Sequence, residues 1–376
     1  MVSLSPQTVA NITNDLEALG LVVARRLTGA RSRGQPPIAF TLNASAGNSV
    51  GISLEPGRAS AGLVNLVGEM LERRTLDVDT RDPRRVLAAM LTLVEELAAR
   101  GTRGGRIWGV GVALPGPLIK TDIPTTLEGW SDLSVLDELH ETTQLQVFYS
   151  VDSVAGALGE SLFGLARSLE NFFYMHFGVG LGGTLVANRA AFRGADGNAT
   201  EIGHVPIVPG GKPCYCGNQG CLERYLSLHS LAETLGLADG VDRNLLALRM
   251  LEQPTSAFEA WCREAGARLR DAVCIIENML DPRSIVIGGS APRGLVEKIV
   301  QLAHPLHHSV RGGVAQPNER ILLTERQEDS SILGAAVLPI YNLLAPRPEV
   351  LQRDRRGEVN VADLLGHRAH SRAGRL

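Results

Sequence analysis

The feature of this sequence that most limits how it can fold is a short stretch in which His204 is followed by Cys214, Cys216 and Cys221. Three thiolates and an imidazole are the donor set of a closed tetrahedral zinc site, with no open position for water, so a metal held there is structural. Gly210, Gly211, Gly217 and Gly220 give the backbone freedom to curl around an ion. Buried, unliganded cysteines are the alternative, and they fit such crowding poorly. The other two cysteines, Cys262 and Cys274, fall in a helical stretch and are expected in the core. No disulfide framework is expected, which fits a reducing compartment.

Around that loop, 376 residues call for two or three domains. A net charge of −3 means that any nucleic-acid contact must come from a local patch. No apolar run reaches the ~18 residues of a membrane span. Polar residues from Ser3 onward interrupt any signal-peptide pattern, so the expected location is cytoplasmic.

The N-terminus opens with Ser5-Pro6, a helix cap and first-turn pair, and Val9, Ile12, Leu16 and Leu19 form an apolar stripe ended by Gly20. Gln7, Thr8, Asn11, Thr13 and Asn14 occupy the other face, with side chains suited to base edges or phosphates. Two short strands, 21–27 and 38–42, flank a basic loop carrying Arg31 and Arg33, which reads as a wing able to reach a minor groove. An ordinary amphipathic helix with a solvated hairpin is the alternative. A complete winged helix-turn-helix would need bracing helices upstream of the few residues that precede this helix, so the DNA-binding region is expected to be partial.

From Asn48 the pattern becomes strands and helices. Val50, Ile52 and Leu54 alternate; a turn follows at Glu55-Pro56-Gly57-Arg58; Ala61, Leu63 and Leu66 return; and a third strand begins near Met70. A helix over 83–100 and a strand over 107–114 continue an α/β lobe. A buried strand over 145–151 ends at Asp152-Ser153, which opens a helix running to about Phe163. Glycines cluster at Gly178-Val179-Gly180-Leu181-Gly182-Gly183 and at Gly288-Gly289, where tight turning is reason enough for them. The stretch 228–280 reads as mainly helical with a break near Asp239-Gly240, and an apolar helix runs to about Leu344.

These motifs resemble the ROK family (repressors, open reading frames and sugar kinases) over about 5–344. The resemblance implies an α/β, two-lobe actin-like ATPase fold, here preceded by a partial winged helix-turn-helix. Expected boundaries are 1–45 for the DNA-binding region, 46–150 for the first lobe, completed by a helix near 331–345, 151–330 for the second lobe with the zinc knuckle, and 346–376 for a peripheral tail. Family kinases carry Asp-x-Gly-Gly-Thr-Lys in the first hairpin, whose amides hold ATP phosphates; this chain has Ser53-Leu54-Glu55-Pro56-Gly57-Arg58. Glu55 would repel a polyphosphate by about 1 kcal/mol at ~4 Å even in water. Pro56 removes a backbone donor, and Ser53 cannot organise magnesium as a carboxylate does. ATP and magnesium are therefore not expected.

Asp152 matches the family's catalytic base, which binds the sugar's 6-hydroxyl, but Val151 and Val154 replace two family asparagines. Glu201-Ile202-Gly203-His204, with Thr200 in place of a leading glycine, and Glu223 match residues that contact the sugar's far side. Asp152, Glu201, His204 and Glu223 are thus the expected sugar contacts, and His204 also a zinc ligand. The function implied is a sugar-sensing transcriptional regulator, a repressor, whose partners are operator DNA, a sugar or sugar-derivative effector and a second copy of the chain, as a homodimer or higher oligomer, with no membrane. A hexose kinase using Asp152 as base is the alternative; a third is a sugar-sensing dimer partner that has lost its own DNA binding.

Overall fold

The computed structural model describes residues 5–26, 38–101, 106–116, 134–237, 241–311, 320–325, 329–344 and 374–375. Arg31, Arg33 and the expected break at Asp239-Gly240 lie outside them. Helix α1 (Pro6–Ala18) starts as the sequence expects: the Ser5 hydroxyl accepts from the Thr8 N–H at 3.1 Å, with proline in the first turn. Gly20, at φ +72°, reverses the chain into a hairpin of β1 (Val22–Arg26) and β2 (Ile38–Leu42), paired antiparallel. The apolar stripe of α1 is only anchored at one end. Leu16 packs toward Leu21, Leu66, Trp108 and Ile340, whereas Val9 and Ile12 stay 43% and 42% exposed.

The first lobe holds β3 (Asn48–Glu55), β4 (Arg58–Asn65), β5 (Met70–Asp77), α2 (Pro83–Gly101), β6 (Ile107–Leu114), α3 (Ser134–Thr143) and β7 (Val147–Val151). Its sheet runs β7-β6-β3-β4-β5, with β3 parallel to β6 and antiparallel to β4. Residues 374–375 add a short parallel pairing on β7. Strands β3, β4 and β6 are covered on both faces and are buried almost throughout, whereas the edge strand β5 alternates in exposure. On one face Leu93 and Leu97 of α2 and Leu136 and Leu139 of α3 pack with Ile52.

Next come α4 (Asp152–Leu162), β8 (Phe172–Phe177), β9 (Leu181–Ala187), β10 (Ala190–Ala191), α5 (Leu228–Thr234), α6 (Arg243–Glu252), α7 (Ser256–Leu280), β11 (Ile285–Gly288), α8 (Arg293–Ala303) and β12 (Ile321–Leu323). The second sheet runs β10-β9-β8-β11-β12, and its core includes Phe173, Phe258 and Trp261. Cys262 is buried there as expected; Cys274 is not, being half-buried with its sulfur 3.5 Å from the His308 carbonyl.

Helix α9 (Ser330–Leu344) returns to the first lobe and packs on β3, β4, β6 and β7, and also along α4. Glycines permit that approach. A Cβ at Gly111 would stand 1.9 Å from the Ala335 carbonyl oxygen, and one at Gly334 would stand 2.4 Å from that of Ala155. The helix that opens the cleft, α4, is therefore fixed against the helix that ties the lobes together. Among the described residues, no helix is long and apolar enough to cross a membrane.

Candidate functional site

The metal-site residues converge. One donor atom from each of His204, Cys214, Cys216 and Cys221 lies within 4.8 Å of the others. Cys216 and Cys221 sulfurs are 3.6 Å apart, and Cys214 Sγ is 3.7 Å from His204 Nδ1. A tetrahedron with Zn–S of about 2.3 Å and Zn–N of about 2.0–2.1 Å has edges of roughly 3.6–3.8 Å, and a disulfide would need about 2.05 Å. The loop is held in place by its backbone: Cys214 N–H donates to the Asn218 carbonyl at 2.8 Å and Gly217 N–H to that of Cys214 at 3.1 Å. Gly217 and Gly220 both take positive φ, and a Cβ at Gly220 would meet the Val208 carbonyl oxygen at 1.7 Å.

Beside this loop stand the three carboxylates singled out in the sequence. Asp152 is the first residue of α4, not its cap. Its Oδ1 accepts from the Ser153 N–H at 2.6 Å, and its Oδ2 lies 3.4 Å from His176 Nε2. Glu223 is buried, and its Oε2 accepts from the Leu181 N–H at 2.8 Å. Gly180 makes room for it, since a Cβ there would come within 2.7 Å of the same oxygen. Burial, followed by the negative charges of Asp152 and Glu223, raises the Glu201 carboxyl to about 7. Three acidic groups therefore share one electrostatic field.

The departures from the family pattern have local explanations. Val154 packs toward Phe148, Leu158, Val337 and Leu338, so this position serves the core. Thr200 takes φ +68°, where glycine is the easy choice, and its hydroxyl donates to the Gly183 carbonyl at 3.0 Å.

The β3–β4 turn is near enough to Asp152 for its charge to act on Glu55. Gly57, at φ +83°, suits the third position of a type II turn behind Pro56. Pro56 has no N–H, and that of Gly57 already donates to the Thr80 hydroxyl at 3.1 Å. Burial raises the Glu55 carboxyl, with Ser290, His176 and Arg58 acting against it. Arg58 pairs with Asp242, which also caps α6 by accepting from the Leu245 N–H at 3.0 Å. Together with Ser53, Ser290 and Ser331, these residues line a cleft of about 280 Å³ between the lobes.

Sequence reasoning missed three participants. Tyr215 places its hydroxyl 3.3 Å from His204 Nε2, so the second nitrogen of the imidazole expected to face sugar is already engaged. His176, buried beside Asp152, has no partner for its Nδ1 among the described residues. The Arg58–Asp242 pair joins residues far apart in the chain, which no local pattern signals. Tyr215 alone carried a signal, standing between two ligand cysteines.

Two α/β lobes with these strand orders, tied by a common helix over an acid-lined cleft, define a protein of the actin-like fold. The chain belongs to the ROK family, whose sequence profile matches residues 50–341. It is 26% identical over 369 residues to a xylose repressor of Caldicellulosiruptor bescii, covering 92% of this chain and 91% of that one. A ROK transcriptional regulator homologous to the Mlc protein of Escherichia coli superposes with a TM-score of 0.64 at 25% identity, over 90% of this chain and 89% of the other. A ROK glucokinase from Streptomyces griseus, in complex with glucose and AMPPNP, shares the fold with a TM-score of 0.63 at 23% identity; 78% of this chain covers 99% of it.

Proposed function

We propose that this chain is a cytoplasmic, sugar-responsive transcriptional repressor that binds its effector between the lobes and does not phosphorylate it. One observation carries the reading: Asp152, Glu201 and Glu223 stand close enough to act on one another, while the turn that would hold phosphates offers none of its central amides. Asp152, Glu201 and Glu223 can each accept hydrogen bonds from sugar hydroxyls. Pro56 lacks a donor, Gly57's is spent on Thr80, and Glu55 puts a carboxyl where polyphosphate would lie. The relatives support the same division, since the repressor and the regulator match about nine-tenths of this chain, and the kinase leaves about a fifth without a counterpart.

In this reading α1 and the β1–β2 hairpin contact operator DNA. Gln7, Thr8 and Asn11 are exposed, with Gln7 Nε2 donating to Asn11 Oδ1 at 3.1 Å on one face, and Arg31 and Arg33 of the wing reach for phosphates or a minor groove. His204, Cys214, Cys216 and Cys221 fit a zinc ion, which would serve structurally by locking the loop that carries His204 and leads into Glu223. Closure of the lobes on a sugar changes the separation of the two DNA-binding regions in a homodimer, and so operator affinity. The contact of buried His176 with half-buried Asp152 favours a kinase, because it resembles a base with an orienting partner.

The test is a gel shift with the chain's own promoter DNA across a panel of aldoses. The expected result is retardation relieved by one sugar. Retardation that no sugar changes would contradict the effector reading, and no retardation at all would contradict the DNA-binding one.

A further inference from the structure

The cleft of about 280 Å³ beside the β3–β4 turn is a different space from that of the effector carboxylates, since none of Asp152, Glu201 and Glu223 lines it. Its walls come from the first hairpin, β5, α6, the start of α8 and the first turn of α9. Of the charges that line it, Arg58 pairs with Asp242 and Arg73 with Asp329. Glu55 is left without an ion pair of its own among the described residues. Burial raises its carboxyl, while the Ser290 hydroxyl and the charges of His176 and Arg58 act the other way. A carboxylate has about four lone-pair positions, so the Ser290 contact leaves room for a further donor. Two more acceptors line the same space. Ser331 is 4% exposed and its Oγ has no hydrogen-bond partner; the Oδ1 of half-buried Asn244 has none either. Buried polar atoms left unpaired cost free energy that a ligand's donors would recover. The remaining lining includes the apolar side chains of Leu245, Leu248, Pro292 and Ile332.

We propose that this cavity is a second ligand site, apart from the effector's, and that it takes a small primary ammonium with a short aliphatic body. Such a head group has three N–H donors and no acceptor, which answers the carboxylate of Glu55, the amide oxygen of Asn244 and the hydroxyl of Ser331. Its charge also offsets the burial of Glu55, and hydrogen bonds between ionised partners are the stronger kind. An anion meets the reverse situation: a lone carboxylate, and two arginines already held by Asp242 and Asp329. A quaternary ammonium would want aromatic faces, and none lines the cavity among the described residues. The volume lies just under the ~300–1,000 Å³ of sites for drug-sized ligands, so the aliphatic body that packs on the leucines is short. The site stands whether or not a sugar binds at Asp152.

The test is a ligand-detected NMR titration of the full chain, in amine-free buffer near neutral pH, with butylammonium, butanol and butyrate, which share an aliphatic body and differ in head group. The expected result is saturable binding of butylammonium, about tenfold or more tighter than that of the alcohol, with no binding of butyrate. Glu55→Gln should weaken butylammonium by about tenfold or more and leave the alcohol unchanged, and Ser331→Ala should weaken butylammonium by roughly threefold. Neither change removes a contact that the fold uses, since one neutralises a buried charge and the other deletes a hydroxyl without a partner; a melting curve for each variant checks that it is folded. Absence of saturable butylammonium binding to the parent chain would overturn the assignment. So would equal binding of ammonium and alcohol, a preference for butyrate, or an ammonium affinity that Glu55→Gln leaves unchanged.

Discussion

A carboxyl group at position 55 loses water where the lobes meet, and burial lifts its pKa above the ordinary carboxylate value. The folded chain therefore disfavours the ionised form. The penalty is absent below the ordinary carboxylate range, grows as pH climbs toward the raised value, and is full above it. Glu55→Gln should accordingly melt higher than the parent at pH 8 and close to it near pH 4, as read by thermal denaturation across that range; a lower melting point at pH 8 would mean that the carboxylate is stabilising where it sits. Much of this neighbourhood was legible in the sequence because it is local. Pro56-Gly57 specifies its own turn, and Glu55 announces its charge. What the sequence did not show was Thr80, which takes the remaining turn amide from beyond the end of β5. Tyr215 stayed hidden for a related reason: a tyrosine between two cysteines can point either way, and only the folded loop puts its hydroxyl on His204.

At the scale of elements, the metal loop has little regular structure, with four donors to hold it together. Cys216→Ser should lower bound zinc well below one ion per chain, reduce the melting temperature and remove any sugar-induced shift, because metal binding and local folding are the same event in such loops. Metal analysis alongside thermal denaturation checks it, and an undiminished sugar shift in metal-free protein would break the link between loop and cleft. The packing of β6 against α9 tolerates less still. Gly111→Ala places a methyl group against the Ala335 carbonyl oxygen and should destabilise by about 1–3 kcal/mol or more, measured by urea unfolding. Strands β3, β4 and β6 and helices α2 and α4 were legible within a residue or two, since alternation, apolar runs and caps are written along the chain. The partial exposure of α1's stripe was not, because a stripe records which face is apolar but not how much of it finds a surface to cover it. Cys274 shows the same limit: helical spacing placed it, but the His308 loop decides its surroundings.

Across the whole molecule, the charge of Asp152 acts on two groups of carboxyls. Glu201 and Glu223 form one group, next to the metal loop; Glu55 forms the other, near Arg58 and Asp242, whose pair joins the first hairpin to α6. The family fold was readable because its motifs recur in order along the chain, whereas the pairing across the lobes exists only after folding. The proposed function takes the carboxylates as the effector's partners and the β3–β4 turn as unable to hold phosphates. The most direct measurement adds ATP and magnesium to the zinc-loaded chain with each sugar that shifts its melting temperature, and follows ADP by a coupled assay. The account expects a sugar-dependent shift with no sugar-dependent ADP release. Turnover above about 1 s⁻¹, ordinary for an enzyme, would contradict it.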